Sequence, residues 1–139
     1  MAMPGVLVVD DERLLAEETA IGLDLAGIAA VTAGSAAEAM ALLRAHAELR
    51  VLVSDIRMPQ IDGVALARQA LAERGAGQLA VIFMTGHATD AVTADMAGVV
   101  GQVRKPFAIE ELTLLVRAAL DAPAAGDGLA VPRPTDLKA

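Results

Sequence analysis

Short β-branched apolar runs alternate along this chain with longer stretches of helical periodicity. Val6–Val9 is the first such run, and it breaks off at Asp10-Asp11-Glu12. Behind it Leu14, Leu15, Ile21 and Leu25 mark a helix that Gly27 stops. Residues 28–32 read as the second strand, and Ser35-Ala-Ala-Glu38 is a capping box opening a helix with Met40, Leu42 and Leu43. Residues 51–53 form the third strand, running into Ser54 and Asp55. After a turn at Met58-Pro-Gln-Ile-Asp62-Gly63, a third helix carries Val64, Leu66 and Leu71 and stops near Gly75. Residues 79–84 are wholly apolar, as expected of a central strand buried on both faces. Residues 87–96 predict only a short, weak helix, because Thr89, Val92 and Thr93 lower its propensity. The fifth strand spans residues 99–103. The last helix has Ile109, Leu112, Leu115, Val116, Ala119 and Leu120 on one face, with Glu110 and Glu111 at the positive end of its dipole.

Five strands and five helices in strict alternation predict an α/β fold, a doubly wound parallel sheet covered on both faces. Crossovers in such a sheet are right-handed. At 139 residues one domain is expected, over residues 1–121. Residues 122–139 hold three of the chain's six prolines among Ala, Gly and Asp, and read as a flexible tail or linker stub.

Composition narrows the function. Apolar residues make up 55% of the chain, too many for a disordered segment. With 18 acids against 11 Lys and Arg the net charge is -7, a poor match for nucleic acid or an anionic membrane. The absence of cysteine removes disulfides, thiolate metal sites and thiol nucleophiles, and fits a reducing compartment. The N-terminal segment lacks the features of a signal peptide, and no window approaches the roughly 18 apolar residues of a membrane span. A cytoplasmic location is expected. The only aromatics are Phe83 and Phe107, so the core must come from Ala, Val, Leu, Ile and Met.

Ligands of open α/β sheets bind beyond the carboxyl ends of the strands. There this chain places Asp10-Asp11, Asp55, Thr85-Gly86 and Lys105-Pro106-Phe107. Crowded carboxylates call for a cation, and an oxygen-only set favours a hard ion such as Mg2+, which keeps positions for phosphate oxygens. A carboxylate can itself attack phosphorus, while an ammonium and a hydroxyl bind the phosphoryl oxygens. The pattern thus describes an acidic, Mg2+-assisted phosphoryl acceptor.

Val8-Val9-Asp10-Asp11-Glu12, Asp55-Ile-Arg-Met-Pro59 with Asp62-Gly63, Met84-Thr85-Gly86 and Lys105-Pro106-Phe107, in that order, resemble the receiver domain of two-component response regulators over about residues 4–121. The resemblance implies the flavodoxin-like strand order 2-1-3-4-5. It implies Asp55 as acceptor of phosphate from a sensor histidine kinase or phosphotransfer protein. Asp10, Asp11, Asp55 and the backbone carbonyl of Arg57 would hold Mg2+, Thr85 would act as the switch hydroxyl, and Lys105 would pair with the phosphoryl charge. It also implies a cis peptide between Lys105 and Pro106.

The chain departs from the family pattern in places. Gln102 stands where receivers usually carry a switch aromatic on the fifth strand, and Ala108 replaces the usual capping residue of the last helix, at a cost of about 1 kcal/mol. Arg57 and His87, each two residues beyond a key group, are expected to set the phosphate lifetime. Several motifs resemble receivers of hybrid kinases and stand-alone regulators, so the output is either target binding through a protein partner or phosphate relay; weak homodimerisation is left open. Two other functions fit less well. A haloacid-dehalogenase-type phosphatase needs an acid two residues after its nucleophile, where Arg57 stands, and a flavin or nucleotide site needs a Gly- or Ser-rich loop where Asp10-Asp11-Glu12 would repel phosphate.

Overall fold

A computed structural model of the chain describes residues 4–58, 61–75, 77–86 and 97–122. The elements in order are β1 Val6–Val9, α1 Arg13–Leu25, β2 Ala30–Ala33, α2 Ala36–Ala45, β3 Val51–Asp55, β4 Arg57–Met58, β5 Ile61–Asp62, α3 Gly63–Arg74, β6 Ala80–Thr85, β7 Val99–Arg104 and α4 Ile109–Asp121. Five strands form one sheet in the order β2-β1-β3-β6-β7, parallel throughout. With the two-residue strands β4 and β5 set apart as their own antiparallel pair, this is the expected 2-1-3-4-5 order of a flavodoxin-like fold.

Period-two alternation sorts the strand residues between two apolar layers. Leu7, Val9, Leu52, Val81 and Phe83 pack with Met40, Leu43, Leu66, Ala67 and Ala70 of α2 and α3. Val6, Val8, Val51, Val53, Ile82, Met84 and Val103 pack on the other face with Ala16, Leu23, Leu112 and Val116 of α1 and α4. Because β1, β3 and β6 are covered on both sides, they read as apolar runs that turn polar only at their carboxyl ends, at Ser54-Asp55 in β3 and Thr85 in β6. Phe83 is fully buried among aliphatic side chains, and Phe107 packs part-buried against the α1 and α4 layer.

Several boundaries differ from expectation for local reasons. The second strand begins at Ala30 rather than at residue 28 because Ile28 is used by the end of α1. Its N–H donates to the Leu23 carbonyl at 2.9 Å and that of Gly27 to the Asp24 carbonyl at 2.9 Å, a Schellman ending with Gly27 at φ 89°. At α2, Ser35 Oγ accepts from Glu38 N–H as a capping box requires, but the Glu38 carboxylate reaches Gly34 N–H, one residue further back. The turn after Asp55 is framed by β4 and β5, and α3 ends at Gly75 with φ 90°. Of the five helices expected, four lie among the described residues; the weak one at 87–96 lies outside them.

The largest revision concerns α1. Leu14, Ile21 and Leu25 are 75%, 58% and 83% exposed and Leu15 is 37% exposed, whereas the buried positions are Ala16 and Leu23. No helix among the described residues is long and apolar enough to cross a membrane.

Candidate functional site

The chain's path reverses between β1 and β3, leaving a crevice beyond their carboxyl ends. Register places Val9 beside Ser54 and Asp55 beside Met84, so Asp10, Asp55 and Thr85 leave the sheet on three adjacent strands. Asp10 is 1% and Thr85 2% exposed, so both polar side chains are buried at the carboxyl edge of a largely apolar sheet. Lys105 follows β7, and its backbone N–H donates to the Thr85 carbonyl at 2.7 Å, fixing the strand end against β6. The Lys105–Pro106 peptide is cis.

Lys105 Nζ donates to Asp10 Oδ2 at 3.0 Å and to Asp55 Oδ2 at 2.8 Å, bridging carboxylates from two strands. Burial opposes the Lys105 ammonium, yet hydrogen bonds and charge from Asp55 and Asp10 outweigh it and hold its pKa above the ordinary lysine value. Asp10 Oδ1 also accepts the N–H of Glu12 at 3.0 Å, which orients the carboxyl group from its own loop. Asp11 is the less settled member. Burial first, then the hydrogen bond and charge of Asp10 and the charge of Asp55, push its carboxyl pKa up.

Asp10, Asp11 and Asp55 each offer a carboxylate oxygen, and these oxygens lie within 4.8 Å of one another. Lys105 neutralises part of that charge and leaves the cluster anionic. An oxygen-only donor set of this kind fits a hard divalent cation.

The structure therefore brings together Asp10, Asp11, Asp55, Thr85 and Lys105 from the sequence-derived set. The backbone of Arg57 lies in β4, paired with Asp62 just past Asp55. Gln102 is exposed on β7, on the strand face opposite Val103. His87 lies outside the described residues.

Sequence reasoning missed a trough beside the pocket. A cavity of about 450 Å³ is lined by Asp10, Leu15, Thr19, Lys105, Phe107 and Ile109, and a second of about 450 Å³ by Gly22, Leu25, Ile109, Thr113 and Leu114. Both have Ile109 in their lining and lie where α1 faces α4. The available signal was the number of apolar residues on α1, which exceeds what one buried stripe uses.

Comparison with known proteins agrees with this geometry. Residues 6–117 match the family model described as response regulator receiver domain. The C4-dicarboxylate transport transcriptional regulatory protein DctD of Rhizobium meliloti (strain 1021) is 39% identical over 120 residues, 85% of this chain and 25% of that protein. The probable transcriptional regulatory protein TcrX of Mycobacterium tuberculosis is 37% identical over 119 residues, 83% of this chain and 49% of that protein. The chain thus spans half or less of the length of these curated relatives. Among solved structures, a response regulator receiver protein from Pseudomonas putida matches with TM-score 0.75 at 33% identity, covering 85% of this chain and 98% of that one. A receiver domain protein from Clostridium thermocellum matches with TM-score 0.77 at 25% identity, covering 86% and 95%.

Proposed function

This chain belongs to the response regulator receiver domain family, and on that premise we propose that Asp55 accepts a phosphoryl group from a phosphohistidine of a sensor histidine kinase or phosphotransfer protein. What carries the reading is the ammonium of Lys105, held 2.8 Å from Asp55 and 3.0 Å from Asp10 inside a cluster of carboxylates. A lysine so placed counters the charge of an incoming phosphoryl group where it develops.

Asp10, Asp11 and Asp55, with the backbone carbonyl of Arg57, would hold Mg2+. When bound, the ion offsets the charge of the carboxylates and of the phosphoryl oxygens. One carboxylate oxygen of Asp55 forms the new O–P bond as the P–N bond of the donor breaks, and the imidazole leaves as neutral histidine after taking up a proton. Lys105 moves its pairing from Asp55 to a phosphoryl oxygen. Thr85, at the end of β6, turns its hydroxyl toward another, so the phosphorylated state pulls on the loop that follows. Arg57 and His87 set how readily water reaches the aspartyl phosphate. Gln102 supplies no ring to report the change, so the output to a downstream protein partner runs through Thr85 and its loop. A cytosolic kinase domain as donor places the exchange in the cytoplasm.

Incubation with Mg2+ and acetyl phosphate tests this directly. The expected result is a gain of about 80 Da that Asp55→Asn abolishes, as required of a carboxylate nucleophile. The absence of any gain, from acetyl phosphate or from a cognate kinase, would overturn the reading.

A further inference from the structure

Asp55 is the last residue of β3, and its peptide is held from the side opposite the acidic pocket. Gly63, the first residue of α3, is buried against it. A Cβ on Gly63 would lie 2.0 Å from the Asp55 carbonyl oxygen, 2.9 Å from Ile56 Cα and 3.0 Å from the Asp55 carbonyl carbon. All three are backbone atoms, so no rotamer change relieves the contact. The φ of Gly63 is not among the positive glycine values, so space and not backbone conformation demands glycine here. The close approach is fastened by Gly63 N–H donating to the Ile56 carbonyl at 2.9 Å and Ile56 N–H to the Met84 carbonyl at 3.0 Å. Asp62 Oδ1 holds the first turn of α3 by accepting from Val64 N–H at 2.9 Å and Ala65 N–H at 3.3 Å.

Ser54 completes the arrangement. Among the described residues the buried polar side chains are Asp10, Thr85 and Ser54, and only Ser54 stands outside the acidic pocket. It alternates with Leu52 and Ile56, which pack in the layer of α2 and α3, so it lies on the α3 side of the sheet. Its hydroxyl donates to the Asp55 carbonyl at 3.0 Å. A buried hydroxyl without such a use is unfavourable, and an aliphatic residue would serve the sheet as well.

We propose that Gly63 and Ser54 are positioning residues that clamp the Asp55 peptide from the α3 side and thereby set where its carboxylate meets Lys105 and the cation. The consequence for phosphorylation rests on the phosphoacceptor reading above; the clamp itself does not. A side chain at residue 63 must displace either the first turn of α3 or the peptide that carries the carboxylate. The remainder of α3 is anchored separately by Leu66, Ala67 and Ala70, so the fold survives while the site shifts.

The test uses Gly63→Ala together with the equal-sized pair Ser54→Thr and Ser54→Val, which differ in the hydroxyl. Crystal structures of Gly63→Ala and of the wild type are compared for the Lys105 to Asp55 distance, alongside Mg2+ affinity and acetyl phosphate reactivity at saturating Mg2+. The expected result is a lengthened Lys105–Asp55 contact, Mg2+ binding weakened about 10-fold and phosphorylation slowed about 100-fold, as a displacement near 1 Å produces. Ser54→Val should bind Mg2+ more weakly than Ser54→Thr. An unchanged contact in Gly63→Ala, or equal Mg2+ affinity of the Thr and Val variants, overturns the clamp. Should Gly63→Ala not fold, the Thr and Val pair decides alone. An unreactive wild type with a lengthened contact in Gly63→Ala would instead overturn the phosphoacceptor reading and leave the clamp standing.

Discussion

Lys105 and Arg74 are both cations that burial disfavours, yet only one was legible from the sequence. Lys105 sits in a Lys-Pro-Phe motif whose company of Asp10, Asp55 and Thr85 gives it a role, and the structure seats it between two of those acids. Arg74 resembles any basic residue in the last turn of a helix, where it suits the dipole. In the structure its guanidinium instead donates to the carbonyls of Leu43, Ala47 and Leu49, at 3.3, 3.2 and 2.6 Å, and burial lowers its pKa. It thus ties the end of α2 and the approach to β3 to α3. Arg74→Met keeps most of the stem and removes the donors, so urea unfolding should show a loss of about 1–3 kcal/mol; a loss below about 0.5 kcal/mol would refute the tether. At Asp11 the sign reverses. Its charge is opposed by burial and by Asp10 and Asp55, so Asp11→Asn should raise the Tm of metal-free protein while shrinking the rise that Mg2+ produces. For the wild type, Mg2+ at tenfold its Kd should add about 1.4 kcal/mol. A lower metal-free Tm in Asp11→Asn would contradict the argument.

The helix starts fall into two kinds. Ser35 and Asp62 cap α2 and α3 with side-chain hydrogen bonds, whereas α1 and α4, which flank the trough beside the pocket, start at Glu12 and Ala108 without one. The missing cap at Ala108 was visible in the sequence because capping is local. Ala108 is exposed, so Ala108→Ser should stabilise the protein by about 1 kcal/mol in thermal or urea unfolding, and no gain would show that α4 starts elsewhere. Gly22 within α1 is harder to read from sequence, since mid-helix glycine costs roughly 0.5–1 kcal/mol with no local return. The reason is a neighbour 87 residues on in the sequence numbering, Ile109: a Cβ on Gly22 would lie 2.8 Å from its Cγ1, so glycine lets α1 and α4 approach at the seam.

For the whole molecule, the outward leucines of α1 matter most. Leu25 and Leu114, 83% and 72% exposed, line the cavity between α1 and α4 next to the one that Asp10 and Lys105 line, an apolar patch on an otherwise acidic chain. A protein phosphodonor needs such a surface and a small one does not. Leu25→Glu with Leu114→Glu should therefore slow transfer from the kinase by tenfold or more, about 1.4 kcal/mol of contact, while acetyl phosphate reactivity stays unchanged. Equal slowing with both donors would place the defect in the pocket instead. By itself the sequence determined the alternation of strands and helices, the all-parallel sheet and the residues that gather at its carboxyl edge. Those follow from periodicity and strand ends, which are local. Only the tertiary structure decided which side of α1 is buried, that Lys105 bridges Asp10 and Asp55, and that Gly63 presses on the peptide of Asp55. Each of those depends on atoms far apart in the chain, and a hydrophobic pattern records that a residue is apolar without recording what comes to cover it.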